Sequence, residues 1–312
     1  MGGILSCINN VLIFIILVIP GFFAKKRGLI DSKQIDGFSM LLVNFMWPAM
    51  VIDVMNTTKV TNELKHITLQ TGAICFVIYL LSAFIAYLYW KMRGAEKTLI
   101  GVLAFCVTCN NTGFIGMPYI QASLGDKALF IATIAELIND IIIFTVGVFF
   151  MQLNKSGKKT IDFKSMLSPG CISVFIGLLI FFLNIPIPDC LGQALGYMSR
   201  AITAMAMFVV GAQLGEIKLT DIFRKRYVWE VCIFRLIIIP TAVMLVLSVL
   251  FQGHAIIIKV LTLMYAMPVA SCASVIVRQY KNDYQAATSY VMSSTVVLMV
   301  TLPVWSIVVS VI

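Results

Sequence analysis

Runs of about 20 apolar residues recur along the chain, and a helix of that length is what crosses the roughly 30 Å hydrocarbon core of a bilayer. Ten such spans are predicted, at approximately Ile4–Phe23, Gln34–Met55, Ile67–Trp90, Thr98–Leu124, Ala128–Gln152, Met166–Phe182, Leu191–Leu214, Val228–Phe251, Ala255–Arg278 and Tyr284–Val311. The expected fold class is an all-α membrane protein. Composition agrees: 60% of the 312 residues are hydrophobic and 12% charged, where a soluble domain needs about a quarter of its residues charged to face water. The first run lacks a preceding positive segment and a small-residue cleavage site, so it is expected to be retained as a span.

Lys and Arg fix the expected orientation. Odd-numbered loops hold 17 of them: Lys25, Lys26, Arg27, Lys33, Lys91, Arg93, Lys97, Lys155, Lys158, Lys159, Lys164, Lys218, Arg224, Lys225, Arg226, Arg278 and Lys281. Even-numbered loops and adjoining helix ends hold four: Lys59, Lys65, Lys127 and Lys259. Cytoplasmic loops retain positive charge, so the odd loops face the cytoplasm and both termini face outward, in a multi-pass protein of the plasma (inner) membrane. The net charge of +9 is explained by these loops, and nucleic acid is not an expected partner.

The basic loop Lys155–Lys164 divides the spans five and five. An odd number of spans per half forces the halves into opposite orientations, so the expected domains are a five-helix repeat over 1–154, a cytoplasmic linker over 155–165 and an inverted five-helix repeat over 166–312. Gly125–Asp126 before span five resembles Asn282–Asp283 before span ten. Inverted repeats of this kind are common in secondary transporters.

Span four carries Asn110, Asn111, Thr112, Gly113, Gly116 and Pro118 near its middle. Pro removes a backbone donor and clashes with the turn before it, and Gly loosens a helix. A break there strands peptide groups in hydrocarbon unless protein or a wet cavity satisfies them. The half-helix after the break aims its N–H groups and positive dipole end at that cavity, which suits an anion. Span nine repeats the pattern at Pro268, followed by small residues that include Ser271. Paired interrupted helices are the best sequence pointer to a transporter site.

Other polar residues reach similar depth: Asn44, four residues before Pro48; Glu136, Asn139 and Asp140 in span five; Arg200 in span seven; and Ser293, Ser294 and Thr295 in span ten. A charge at the bilayer centre costs about 2.5–3.5 kcal/mol even on the lenient insertion scale. Asp140 and Glu136, four apart on one helical face, are the candidates for binding a proton or coupling ion. For Asp140 a structural pair with Arg200 or Asn110 is the competing role. Arg200 is a candidate substrate counter-ion, a partner for Asp140 or an interfacial residue. Arg235, nearer the cytoplasmic end, is expected to snorkel. Cys106 and Cys109 form a C-x-x-C with no His close in sequence, so packing is expected there and no metal. No cofactor is called for.

Asn111-Thr-Gly-Phe-Ile-Gly-Met-Pro118 resembles the span-four signature of the auxin efflux carrier family of permeases. Met267-Pro-Val-Ala-Ser, running on to Val275-Ile-Val-Arg-Gln-Tyr280, resembles its span nine; Phe208–Leu214, Arg235–Pro240, Ser293-Ser-Thr and Leu302-Pro-Val-Trp305 extend the resemblance over nearly the whole chain. It implies two inverted five-helix repeats, with broken helices four and nine crossing at Pro118 and Pro268 and substrate beside the crossing. The implied fold is similar to that of bile-acid symporters and sodium/proton antiporters. Members carry auxin, malate or malonate. The short central loop resembles bacterial members rather than the larger plant carriers.

The expectation is a secondary transporter moving a small organic anion by alternating access, with H+ or Na+ as coupling ion and a homodimer left open. Substrate-binding candidates are Asn44, Asn110, Asn111, Thr112, Gly116, Pro118, Pro268 and Ser271. Spans one, two, six and seven would form the scaffold. The alternative is a membrane sensor that binds the same ligand without moving it. An enzyme is not expected, because a carboxyl dyad needs two close acids sharing a proton and Asp140 has only Glu136 near it in sequence.

Overall fold

The computed structural model of the chain describes residues 2–58, 62–153, 169–216, 223–252 and 254–312. The loop Lys155–Lys164, the linker 155–165, Lys59, Lys218 and the predicted start of span six at Met166 lie outside the described residues. Within them the secondary structure is helical, apart from one isolated β-bridge.

In chain order the α-helices are α1 (Gly2–Lys26), α2 (Ser32–Leu41), α3 (Trp47–Thr57), α4 (Asn62–Met92), α5 (Lys97–Thr108), α6 (Met117–Leu124), α7 (Asp126–Ile142) and α8 (Val148–Met151). They continue as α9 (Pro169–Leu183), α10 (Asp189–Gly215), α11 (Val228–Ile233), α12 (Ile239–Leu250), α13 (Ala255–Tyr265), α14 (Ala273–Gln279) and α15 (Tyr284–Val311). Six described stretches are long and apolar enough to cross a membrane: Ser32–Thr57, His66–Met92, Asp126–Met151, Asp189–Gly215, Val228–Leu250 and Tyr284–Val311. Lys97–Thr108, Ile172–Leu183 and Ala255–Tyr265 are shorter apolar helices. The first and last of these lie in the segments predicted as spans four and nine.

Helix starts follow local chemistry. Asp31 caps α2 in a reciprocal box with Gln34, each side chain bonding the other's backbone N–H at 2.8 Å. The Asp283 carboxylate accepts the Ala286 N–H at 2.9 Å at the head of α15. Gly125, at φ +79°, makes the turn between α6 and α7 that a side chain would strain.

Among the described residues, four one-turn π-helices interrupt the helical stretches, at Leu42–Met46, Thr112–Gly116, Ile143–Gly147 and Phe234–Ile238. Three of them end two residues before a proline, at Pro48, Pro118 and Pro240. Proline cannot donate to the carbonyl four residues back and crowds it. A widened turn just before the proline relieves that clash and lets the helix continue. Pro118 therefore sits in the first turn of α6, where its missing N–H is tolerated.

The described contacts group the chain into two compact units. The first comprises Met1–Gly72, Gly113–Leu137 and Leu167–Ile217. Here α1 lies backbone to backbone on α10: a Cβ on Gly21 would sit 1.9 Å from the Phe208 carbonyl oxygen, and one on Gly211 would sit 2.0 Å from that of Val18. Glycines let membrane helices approach this closely. On α9, Gly170 faces the Trp47 ring and Gly177 faces Met55, so α3 packs there. This unit thus groups the segments predicted as spans one, two, six and seven with residues 113–137 of those predicted as spans four and five.

The second unit comprises Ala73–Thr112, Ile138–Met166 and Lys218–Ile312. Gly101 on α5 meets the Phe150 backbone of α8. The Trp305 indole N–H of α15 donates to the Leu236 carbonyl at 2.7 Å. That carbonyl is the one Pro240 leaves without its usual helical donor. Near the Met92 end of α4, the Tyr89 hydroxyl donates to the Glu230 carboxylate at 2.8 Å, and Arg93 Nε stands 3.4 Å from the same carboxylate.

Candidate functional site

The helical run of span four stops at Thr108 and that of span nine at Tyr265, both inside the second unit. Each stop leaves terminal carbonyls without helical partners, and each unwound strand behind it adds more peptide groups to satisfy. The two strands satisfy each other. The Asn111 N–H donates to the Pro268 carbonyl at 2.8 Å, and the Ala270 N–H donates to the Cys109 carbonyl at 3.1 Å. Asn110 and Val269 face one another between these bonds in an isolated antiparallel bridge.

Side chains close the remaining positions. The Asn110 side-chain N–H donates to the Met264 carbonyl at 2.8 Å, and its carbonyl accepts the Tyr79 hydroxyl at 2.7 Å. Asn139 of α7 clamps the strand: its amide donates to the Asn110 carbonyl at 3.0 Å and the Thr112 hydroxyl at 2.9 Å, and its carbonyl accepts the Asn110 N–H at 3.4 Å. Ser294 of α15 accepts the Val269 N–H at 3.1 Å. The Asn111 amide donates to the Ser271 hydroxyl at 2.6 Å, joining the two breaks a second time.

Arg235 completes the junction. It lies on the π-turn Phe234–Ile238 and is 0% exposed. Its Nε donates to the Met267 carbonyl at 3.0 Å, its Nη1 to those of Val107 at 2.9 Å and Thr108 at 3.2 Å, and its Nη2 to that of Tyr265. The snorkelling expected of Arg235 is corrected: the guanidinium turns inward, because the carbonyls at two helix ends offer what water would otherwise supply.

The predicted site residues divide between the units. Asn110, Asn111, Thr112, Pro268, Ser271 and Asp140 belong to the second, and bonds unite the first five through the bridge. Asp140 is buried and follows Asn139 in α7. Asn44, Gly116, Pro118, Glu136 and Arg200 belong to the first unit. Asn44 and Gly116 lie within π-turns. Glu136 is buried, its carboxylate oxygen 2.7 Å from where a Cβ on Gly113 would stand.

The expected crossing at Pro118 is also corrected. The strands pair at Asn110 and Val269, and Pro118 lies in α6, after the π-turn that accommodates it. Arg200 is exposed, with its guanidinium 5.0 Å from the Tyr197 ring centroid. A Cβ on Gly196 would stand 3.5 Å from Arg200 Nη1 and 3.6 Å from Asp53 Oδ1, so Arg200 and Asp53 approach the same point. Ser199 hydrogen-bonds Asp53.

Sequence reasoning passed over Asp53, Tyr79 and the clamp made by Asn139. The available signals were a lone acid inside an apolar run for Asp53 and an amide beside Asp140 for Asn139. Tyr79 carried no signal, since tyrosines are common in apolar helices. A cleft of about 370 Å³ in the second unit, lined by Leu81, Val107, Phe234, Ile238 and Val243 among others, is apolar and does not suit an anion.

Comparison with known proteins places the chain in a family. Residues 6–306 match the family described as membrane transport protein. An uncharacterized transporter of Methanothermobacter thermautotrophicus is 23% identical over 304 residues, covering 96% of this chain and 97% of that protein. The uncharacterized transporter YfdV of Escherichia coli K12 is 22% identical over 313 residues, covering 96% of each chain. The uncharacterized transporter MJ1031 of Methanocaldococcus jannaschii is 24% identical over 304 residues, covering 95% of this chain and 96% of that protein. With nearly its whole length matched, and with the span-four and span-nine motifs described above, the chain belongs to the membrane transport protein family, the auxin efflux carrier family of permeases.

Proposed function

We propose that this protein is a secondary carrier that moves a small organic anion across the plasma membrane by alternating access. Ten crossings in two inverted repeats, 1–154 and 166–312, with both termini outside, belong to the same proposal. The 17-to-4 loop asymmetry in Lys and Arg supports that orientation.

The observation that carries the reading is the reciprocal pairing of Asn111 with Pro268 and of Cys109 with Ala270. Non-helical backbone at membrane depth is tolerated where protein buries it or where it lines a wet cavity, and carriers place substrate at such breaks. Asn110 and Thr112 are already committed to internal bonds. Asn111 and Ser271 are bonded too, but only to each other and through side-chain atoms alone, a single contact that a carboxylate can replace without undoing the clamp; they are assigned the carboxylate, beside the peptide groups that open the helical stretch at Thr112. Pro268 shapes the strand behind them.

Asp140, beside the Asn139 clamp, is the preferred proton-binding group, with Glu136 as the alternative. Arg200 is assigned as a counter-ion during substrate passage, and the π-turns holding Asn44 and Gly116, with Pro118 after the second, as points of flexure. The resemblance to the auxin efflux carriers supports malate, malonate or an auxin-like acid as substrate class.

The test is counterflow in proteoliposomes with radiolabelled malate, malonate and indole-3-acetate. Asn111→Ala and Ser271→Ala are each expected to lower uptake at least about tenfold, the equivalent of about 1.4 kcal/mol, with the melting temperature kept. Undiminished uptake by Asn111→Ala would remove it from the site. Saturable binding of these acids without flux would favour the sensor.

A further inference from the structure

Arg235 bonds the ends of two separate helices at once. Val107 and Thr108 close α5, Tyr265 closes α13, and Met267 lies in the strand just beyond; all four carbonyls accept from the one guanidinium. A helix C-terminus carries about half a unit of negative charge. Two converging on one point present about one unit, which matches the single positive charge that Arg keeps in any protein environment. An Arg buried at membrane depth would otherwise be costly. Its planar fork of five N–H donors is what lets one group satisfy carbonyls from two directions.

A cage of unwound carbonyls and half-helix C-termini is also the chemistry that coordinates Na+ in carriers with broken helices. We propose that Arg235 is a resident cation, a tethered charge that fills the carbonyl-lined position where a mobile monovalent cation would bind. The crossing is then assembled without Na+, and vacating Arg235 converts it into a binding site for a small cation. The inference stands on the carbonyl geometry and is independent of whether the ligand is carried or only sensed.

The experiment is thermal unfolding of the purified full-length protein in nanodiscs, with sodium, potassium, guanidinium or choline chloride at matched millimolar concentrations. Wild type is expected to melt at the same temperature in all four salts. Arg235→Ala is expected to melt lower and to regain stability saturably with guanidinium or sodium, because a ligand of the native state raises apparent stability, and not with choline, which is too bulky for the cage. A saturable rise with sodium over choline that persists in an Asp140→Asn, Glu136→Gln protein with Arg235 intact would overturn the proposal, as would an Arg235→Ala protein indifferent to every cation. If Arg235→Ala yields no folded protein in any salt, Arg235→Lys and Arg235→Gln decide. Lys retains the charge and is expected to melt well above Gln, and a Gln variant at least as stable as the Lys variant would overturn the assignment. These readouts involve no transport, so a failure here is separable from a failure of the carrier reading.

Discussion

Asn139 holds Asn110 by both of its backbone groups, donating to the carbonyl at 3.0 Å and accepting from the N–H at 3.4 Å. The clamp fixes the unwound strand from a neighbouring helix, where the strand's own helix can no longer do so. Asn139→Ala leaves a buried amide and carbonyl unpaired, at about 1–3 kcal/mol for a group so orphaned. Asn139→Asp keeps an acceptor for the Asn110 N–H and loses the donors to the Asn110 carbonyl and the Thr112 hydroxyl. Both variants are expected to melt below wild type, with Asp at least as low as Ala. Calorimetry or dye-monitored unfolding checks the order, and an unshifted Asn139→Ala would show that the clamp holds nothing.

The other strand has its own clasp. Ser294 accepts the Val269 N–H at 3.1 Å while its hydroxyl donates to the Val291 carbonyl at 2.9 Å. Ser294→Ala removes the acceptor and is expected to cost about 1–3 kcal/mol, whereas Ser294→Thr keeps the hydroxyl and is expected to lose less. Hydrogen exchange by mass spectrometry should show faster exchange around Val269 in the Ala variant. Unchanged exchange there would mean that Ser294 does not hold the strand.

In the first unit, α1 and α10 depend on two glycines. A Cβ at Gly211 would stand 2.0 Å from the Val18 carbonyl oxygen, and at Gly21 1.9 Å from that of Phe208. Backbone atoms cannot move aside as a side-chain tip can, so Gly211→Ala and Gly21→Ala should each cost about 1–3 kcal/mol or more, the range for overpacking. Gly37, with nothing within 4 Å of its added Cβ, is the matched control. Gly37→Ala is expected to leave the melting temperature within the spread of wild type, while either helix-facing variant melts lower.

The helical class and six described stretches were legible because their apolar runs have bilayer length, and the breaks because adjacent Asn110 and Asn111, and then Pro268, are out of place in hydrocarbon. Misreadings arose where the same residue types have two outcomes. Pro118 reads as a break, yet a π-turn over Thr112–Gly116 carries the chain into α6 with the proline in its first turn. The break sits at Cys109–Asn111 instead, where paired strands replace the helical bonds. Arg235 reads as interfacial from its distance to the loop. Sequence gives depth along a helix more readily than the direction a side chain takes, and the acceptors that draw Arg235 inward come from spans four and nine. Asn139 was visible as a polar residue, but its partner could not be chosen without the fold.

The proposed orientation can be read from a cysteine. Cys190 is exposed at the start of α10, on the expected outer side, whereas Cys75, Cys106, Cys109 and Cys232 are buried. In a variant retaining Cys190 alone, a membrane-impermeant maleimide is expected to label intact cells or right-side-out vesicles without permeabilisation. Lys281→Cys in the same cysteine-depleted background, at an expected cytoplasmic turn, should label only after permeabilisation. The reverse pattern would invert the topology drawn from the loop charges.

Trp305 and Pro240 form a testable pair. Proline at 240 cannot donate to the Leu236 carbonyl, and the Trp305 indole N–H does so instead at 2.7 Å. Trp305→Phe keeps most of the ring and removes the donor, so it should cost about 0.6 kcal/mol, the average for side-chain hydrogen bonds within membranes, and at most about 1.7. Pro240→Ala restores a backbone donor on the same helix. In that background Trp305→Phe is expected to cost less, giving a coupling energy above about 0.5 kcal/mol, the size found for residues that share a partner. Reversible unfolding of the four proteins in mixed micelles measures the cycle. Additive losses would mean that the indole and the proline do not meet at the Leu236 carbonyl, and that the π-turn at Phe234–Ile238 is stabilised by packing alone.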